Sequence, residues 1–332
     1  MIWPGRFRPT GPRHTDDDTV TTPAALAKGT RPIGATRRRT TRAAPPGEPR
    51  RVAYLYLAPA LVLIALFVLL PLLRTLQISL FSWDGVTTAT FMGVDNYIEA
   101  LSDPNMLALY WHSAVLVLFY AVIPIAFGLL ITALFSRRTV RGMTFYRSVL
   151  FVPQAVSLVV VAVAWQWMYA QSGIANQFLN FFGIPVNTAW LGSFSWALPA
   201  IGLIGSWLLT GLCMVLFLAG AQKIDAALYE AARLDGANAW HEFRYVMLPS
   251  LRAEIGVAMT LTIVAALRSF DLVYLLTEGG PGTSTSVPGY EIFENAFTNQ
   301  RVGSASALAV ILTVLIIIVS IAINRFSRSA EE

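Results

Sequence analysis

From Ser148 to Gln222 the chain runs for 75 residues without one Asp, Glu, Lys or Arg. A soluble fold has no use for so long an uncharged stretch, whereas a bilayer interior demands it. Over the whole chain 13% of residues are charged, against about 25% in a typical soluble domain. The sequence therefore describes an integral membrane protein. Strands of a membrane barrel would be shorter and would alternate in polarity, which these apolar runs do not, so the fold class is all-α.

Each apolar run is near the roughly 20 residues that cross a bilayer as helix. Six transmembrane helices are predicted, at 54–73, 113–135, 148–169, 197–220, 255–276 and 305–323. Pro124 and Pro153 fall inside spans and are expected to kink them. Basic residues set the orientation. The first 51 residues carry eleven Lys or Arg. Arg137, Arg138, Arg141 and Arg147 lie between spans two and three, and Lys223, Arg233, Arg244 and Arg252 between spans four and five. Arg325 and Arg328 follow span six, and the opposite side holds only Arg74 and Arg301. The positive-inside rule puts both termini, and the charged segment between spans four and five, in the cytoplasm. Residues 1–52, with "RRRTTRAAPPGEPRR", read as a disordered basic cytoplasmic tail, or alternatively as a lipid- or nucleic-acid-binding arm. They do not read as a secretory signal, since no small-residue cleavage site follows the apolar run. Residues 327–332 form a C-terminal cytoplasmic tail. In the uncharged outer segment 170–196, Ile174, Phe178 and Phe181 recur at helical spacing and suggest a short helix lying in the interface, or a loop packed on the bundle.

Chemistry-bearing constellations are few. Cys213 is the single cysteine, and His14, His112 and His241 are scattered, so neither a disulfide nor zinc-ligand spacing is expected. There is no G-x-x-x-x-G-K-[ST] phosphate loop, so any ATP chemistry has to come from another polypeptide. The chain is expected to hold no cofactor or metal and to catalyse no bond change.

The stretch "YEAARLDGANAWHEFRYVMLP", Tyr229–Pro249, is polar and lies between two apolar runs. Asp225 can cap a first short helix over 226–235, and Gly236 supplies its left-handed stop. Asn238 can cap a second helix, which Pro249 is expected to close. A hairpin at 225–249 follows. Leu228, Ala231, Ala232, Trp240, Phe243 and Tyr245 give it apolar faces that something should cover. A solvated loop would account for its polarity but not for this spacing of cap, glycine and proline.

Here a resemblance becomes specific. Glu230, Ala231, Ala232, Gly236, Leu248 and Pro249, with Val246 where the family commonly has Ile, resemble the EAA loop of permease subunits in binding-protein-dependent ABC importers. "FDLVYLLTEGGPGTSTSVPGYEIFENAF" from Phe270, and "LAPALVLIALFVLLPLLRTLQISLFSW" from Leu57, are similar to the carbohydrate branch, the MalF/UgpA-type sugar permeases. Together the resemblance covers about residues 52–325. It implies a heteromeric importer of a mono- or oligosaccharide or a polyol phosphate. Its other parts would be a second related permease, two ATPase subunits that bind ATP and Mg, and an extracytoplasmic sugar-binding protein. Lipid would surround the spans, and no nucleic acid is involved. The resemblance also implies that the six EAA-loop residues couple to the ATPase, with Glu230 as the charge-assisted contact. It places a sugar path at Gly205, Ser206, Thr262, Ala266 and Ser269, several of them smaller or less polar than the family's asparagines, with Trp207 and Thr210 nearby.

Two further features stand on the residues alone. "WQWMY", Trp165–Tyr169, suits either a sugar-stacking entrance or an interfacial aromatic belt. Arg268 and Asp271 are three apart on span five and would share a helix face, either lining the path or forming an internal ion pair. As proton- or ion-coupling groups they would support the alternative function, a stand-alone secondary transporter. No His, Cys or paired-carboxylate constellation supports a membrane-embedded enzyme.

Overall fold

The structure is a computed structural model that describes residues 50–136 and 142–329. The expected N-terminal tail up to residue 49, Arg137, Arg138 and Arg141, and residues 330–332 of the C-terminal tail lie outside the described residues. In chain order the helices are α1 (Tyr56–Ile78), α2 (Asp95–Ser102), α3 (Pro104–Ser136), α4 (Met143–Ala155) and α5 (Leu158–Met168). They continue with α6 (Ile174–Phe181), α7 (Ala197–Ala221), α8 (Ala226–Leu234), α9 (Ala239–Ser250) and α10 (Arg252–Leu267). The last are α11 (Asp271–Leu276), α12 (Pro288–Phe293) and α13 (Val302–Ser329). A small antiparallel pair, β1 (Phe81–Ser82) and β2 (Thr90–Phe91), follows α1 with Phe81 opposite Phe91.

Among the described residues four helices are long and apolar enough to cross a bilayer, and up to six spans result if each of two bent pairs counts as one. The unbroken ones are α1, α3, α7 and α13 as far as Arg325. Two of the predicted spans are not single helices. The run 148–169 is α4 and α5, meeting at 96°. Val156 and Ser157 between them are extended, with ψ 143° and 134°. The run 255–276 stops at Leu267 and restarts at Asp271. A third bend, of 71°, separates α9 from α10.

Several prolines sit inside helices, for a local reason. Pro71, Pro124 and Pro249 each stand second after a π-helical stretch, respectively Ala65–Leu69, Leu118–Val122 and Glu242–Met247. Proline has no N–H for the carbonyl four residues back, and its ring crowds that carbonyl. Widening the preceding turn to i→i+5 bonding moves the carbonyl aside, so the helix passes through. Pro124 thus lies inside a continuous α3, and the hairpin's second helix ends one residue after Pro249. Pro59 is accommodated without a π stretch. Pro153 also has none, and α4 ends two residues after it.

The core is organised on α7, whose residues are the most buried of any long helix. Near one end Ile201, Ile204 and Leu208 pack with Leu116 and Tyr120 of α3, Val161 of α5 and Val273 of α11. Towards the other, Cys213 and Phe217 pack with Met247 of α9, Leu251 and Ala258. Lipid is as apolar as these side chains, so the helices are held by close van der Waals packing rather than by escape from water. Glycine makes the approach possible. A Cβ at Gly205 would overlap the Tyr120 ring, and one at Gly211 would overlap the Leu150 carbonyl.

On one side of the bundle, Asn96 of α2 donates to the Ser79 and Phe81 carbonyls at 2.9 and 3.0 Å, and Arg301 pairs with Glu99 at 2.7 Å. α6 is helical where the apolar spacing places it, and it leaves Ile174, Phe178 and Phe181 exposed.

The Gly211 neighbour is backbone and cannot rotate away. Gly211→Ala is therefore expected to destabilise the bundle by roughly 1–3 kcal/mol, the usual range for overpacking. Thermal unfolding of the purified protein in detergent would register this as a lower midpoint, with Gly192→Ala, where a Cβ makes only ordinary contact, as the space control.

Candidate functional site

Two places in the bundle gather functional side chains. The first is the α8–α9 hairpin. The Asp225 carboxylate accepts from Ala227 N at 3.0 Å, and Asn238 Oδ1 accepts from Trp240 N and His241 N, both at 3.0 Å. Each cap satisfies backbone donors that a helix start would otherwise leave open. Between them Gly236 has φ +80°, a conformation only glycine takes without strain. Arg233 Nε donates to Glu242 Oε1 at 2.9 Å and clamps one rod to the other, with Glu242 only 5% exposed. The second rod is rooted in the bundle, because Phe243 and Met247 join the cluster of Cys213 and Phe217 on α7.

What the hairpin leaves outside is the reverse of a soluble surface. Leu228, Leu234, Trp240 and Tyr245 are exposed, as are Glu230, Ala231 and Gly236. Ala232, Leu248 and Pro249 are half-buried. A cavity of about 300 Å3 opens between the rods, lined by Ala232, Gly236, His241, Tyr245 and Val246.

The second place is a cavity of about 330 Å3 where two helix breaks meet α7. Val156 and Leu158 line it from the α4–α5 break, Arg268 to Leu272 from the α10–α11 break, and Gly205 from α7. Unwound backbone at such depth is tolerated where it lines a cavity, which is its setting here. The polar groups around it are Gln154, Arg268, Ser269, Asp271 and the Tyr120 hydroxyl. That hydroxyl faces Ser269, is buried, and has no well-formed hydrogen bond.

Of the residues expected on the path, the structure brings Gly205, Arg268, Ser269 and Asp271 together. The others lie elsewhere. Ser206 Oγ donates to the Phe119 and Gly202 carbonyls, both at 2.8 Å. The Thr262 hydroxyl donates to Ala258 O at 2.8 Å, and Thr210 to Ser206 O at 2.7 Å, so each bonds its own helix. Ala266 is buried in the core beside the cavity-lining Ala265. Trp207 is half-exposed and meets Trp165 edge to face at 5.7 Å. In "WQWMY", Tyr169 packs on Trp165 at 5.1 Å and donates to Ala200 O, while Trp167 is exposed. Arg268 and Asp271 do not share a helix face, since the helix ends between them, and no ion pair joins them. Both stand exposed at the cavity. Sequence reasoning missed Tyr120 and Gln154. The available signal was Gly205, whose missing side chain is the space that the Tyr120 ring fills.

Beyond α11, α12 carries an acidic pair. Tyr290 donates to Glu294 Oε2 at 3.2 Å, and Asn295 Nδ2 to Glu291 Oε1 at 3.1 Å. Partial burial raises the Glu291 carboxyl above the usual carboxylate range, a shift that the Asn295 amide moderates and the Glu294 charge reinforces.

Apolar helices broken around a polar cavity, with a rigid hairpin rooted beneath them, define the class of a solute-translocating membrane subunit. Residues 124–332 match the model of the inner membrane component of binding-protein-dependent transport systems, and the chain belongs to that family. It is 33% identical to the probable ABC transporter permease YurN of Bacillus subtilis over 85% of this chain and 97% of that one. It is 32% identical to the trehalose/maltose transport permease MalF of Thermococcus litoralis, over 84% and 95%. Similarity to the sulfoquinovosyl glycerol permease SmoG of Agrobacterium fabrum is also 32%, over 85% and 92%. Among solved structures, a chain of a bacterial ABC transporter that imports the acidic polysaccharide alginate has the same fold. The TM-score is 0.73 at 20% identity, over 84% of this chain and 96% of that one. The protein is thus a multi-pass inner-membrane permease component of an ABC importer, a transport subunit rather than an enzyme. Nothing in these likenesses supports a stand-alone secondary carrier.

Two outcomes follow from the geometry. Asn238→Ala is expected to weaken the start of α9 by about 1 kcal/mol, read as faster hydrogen exchange over 239–243 with α8 unchanged. For Glu291 the raised carboxyl gives a stabilising contribution that is complete below the unfolded value and lost as pH rises through the elevated one. Exchange over 288–298 should accelerate as pH rises above about 4 and through the raised Glu291 value, beyond its intrinsic base dependence, and Glu291→Gln should abolish the excess.

Proposed function

We propose that this chain is one of two related permease subunits of an ATP-driven importer for a sugar or polyol derivative. It crosses the membrane six times with both termini in the cytoplasm. The observation that carries this reading is the hairpin. It is capped at both helix starts, turned at Gly236, rooted through Met247 in the α7 core, and uncovered on its apolar faces. An ATPase subunit, which binds ATP and Mg, covers those faces, with Glu230 meeting a basic group. Its nucleotide-driven closure moves the rods and, through the Met247 root, the spans. Glu230, Ala231, Ala232, Gly236, Leu248 and Pro249 form the coupling element. The basic residues on the hairpin side support the orientation.

Several relatives are described by the sugars they carry: trehalose and maltose, lactose, diacetylchitobiose. Arg268, Asp271, Ser269 and Gln154 supply both donors and acceptors at the cavity, the mixture that a polyhydroxylated solute needs. An extracytoplasmic binding protein delivers the solute to the α11–α13 side, and alternating tilt of the spans exposes the cavity to each side in turn. One related solved complex includes an alginate-bound periplasmic protein, which is consistent with such a delivery step.

The test uses the full complex of both permeases, ATPases and binding protein. A thermal-shift panel on the binding protein selects the saccharide. Glu230→Lys and Gly236→Val should each cut its ATP-dependent uptake by roughly tenfold or more, on the order of losing a charge-assisted contact or a left-handed turn, with membrane insertion unchanged. Uptake that persists in cells lacking the ATPase would overturn the reading.

A further inference from the structure

The segment from Arg268 to Glu278 exposes polar groups that the coupling reading leaves unexplained. Arg268, Asp271, Tyr274 and Glu278 are exposed, while Leu272, Val273 and Leu276 face the core. Arg268 stands before α11, Asp271 at its start and Glu278 after its end, and none of these charges faces hydrocarbon without a penalty, so the exposed side of α11 meets water or a polar solute. Between the charges stands an aromatic chain. Phe270, on the cavity wall, stacks on Tyr274 at 5.3 Å and 18°; Tyr274 meets Phe293 at 5.2 Å, and Phe293 meets Phe297 at 5.2 Å. Tyr274 is 40% exposed and Phe297 75%. The Tyr274 hydroxyl has no protein partner among the described residues. Buried aromatic clusters serve packing, but a packing cluster does not leave its outermost ring open between carboxylates.

A pyranose ring has the complementary surface. Its C–H face stacks on an aromatic ring, and its rim of hydroxyls takes hydrogen bonds from a guanidinium or phenol and gives them to carboxylates. We infer that Phe297, Phe293 and Tyr274 form a stacking track for pyranose rings, which hands a saccharide from the outer side of α12 to the cavity at Phe270. Asp271 and Glu278 accept from its hydroxyls along the way. The track rests on the sugar reading above. It assigns ligand contact to rings outside the cavity, on residues for which packing is otherwise the only role.

The complex is reconstituted in proteoliposomes with the saccharide selected above and saturating liganded binding protein. Tyr274→Ala and Phe297→Ala should each lower sugar translocated per ATP hydrolysed by roughly threefold to tenfold, the scale of one lost stacking contact. ATPase stimulation by the liganded binding protein should stay within about twofold, and Tyr274→Phe and Tyr274→Trp should retain transport, because the ring rather than its hydroxyl does the stacking. Equal transport by alanine and aromatic variants would overturn the track. So would loss of the second permease from the purified Tyr274→Ala complex, which would make this face a subunit interface. A wild-type complex that moves no saccharide would instead remove the sugar reading itself.

Discussion

Everything in this bundle depends on how closely other backbones approach α7. In lipid there is no gain from hiding one apolar side chain behind another, so helices stay together by surface match alone. Along α7 that match is made by absent side chains: Gly205 admits the Tyr120 ring and Gly211 admits the Leu150 carbonyl. From α3 the same device is reciprocated, because Gly128 comes up against Cys213. Cys213 therefore acts as a small packing residue in a crossing too tight for a larger one.

That packing explains why the cavity and the hairpin belong to one machine although they lie at different levels of α7. Ile204 and Leu208 of α7 touch the elements that frame the cavity, while Cys213 and Phe217 hold the root of α9. Both therefore report the position of one helix. The breaks in α4–α5 and α10–α11 supply hinge-like discontinuities on the cavity side, whereas α7 itself is unbroken from Ala197 to Ala221. A rigid post flanked by segmented helices is a suitable layout for alternating exposure, since segments can re-angle without unpacking the post.

Much of this was legible in the residues, and the failures have a common cause. The hairpin's caps at Asp225 and Asn238 and its turn at Gly236 are local devices, written within three or four residues, and the structure has them where the spacing places them. The apolar runs likewise mark the long helices. The bend in the third span was foreshadowed by Pro153, three residues before the chain leaves helix at Val156, whereas the break after Leu267 has no proline or glycine to mark it. At Pro124 and Pro249 a π stretch stands ahead of the proline, and nothing in the residue types marks such a stretch. The likeness to sugar permeases pointed to α7 and α10, and both contribute residues to the cavity. It could not separate Ser206 and Thr262, whose hydroxyls bond their own helices, from Ser269, which lines the cavity. Tyr120 was hidden for the same reason, as its role is set by which glycine it opposes on another helix.

The root of α9 also limits what evolution or an engineer can exchange. Because Phe243 and Met247 are cut to the shapes of Cys213 and Phe217, the exposed rods are not a detachable plug. A hairpin transplanted from a relative to recruit a foreign motor would dock at its new tip yet rattle at its base, unless its half of the socket on α7 travelled with it. Under the proposed coupling, motor preference would be inherited together with a patch of buried core, well away from any surface the motor could touch.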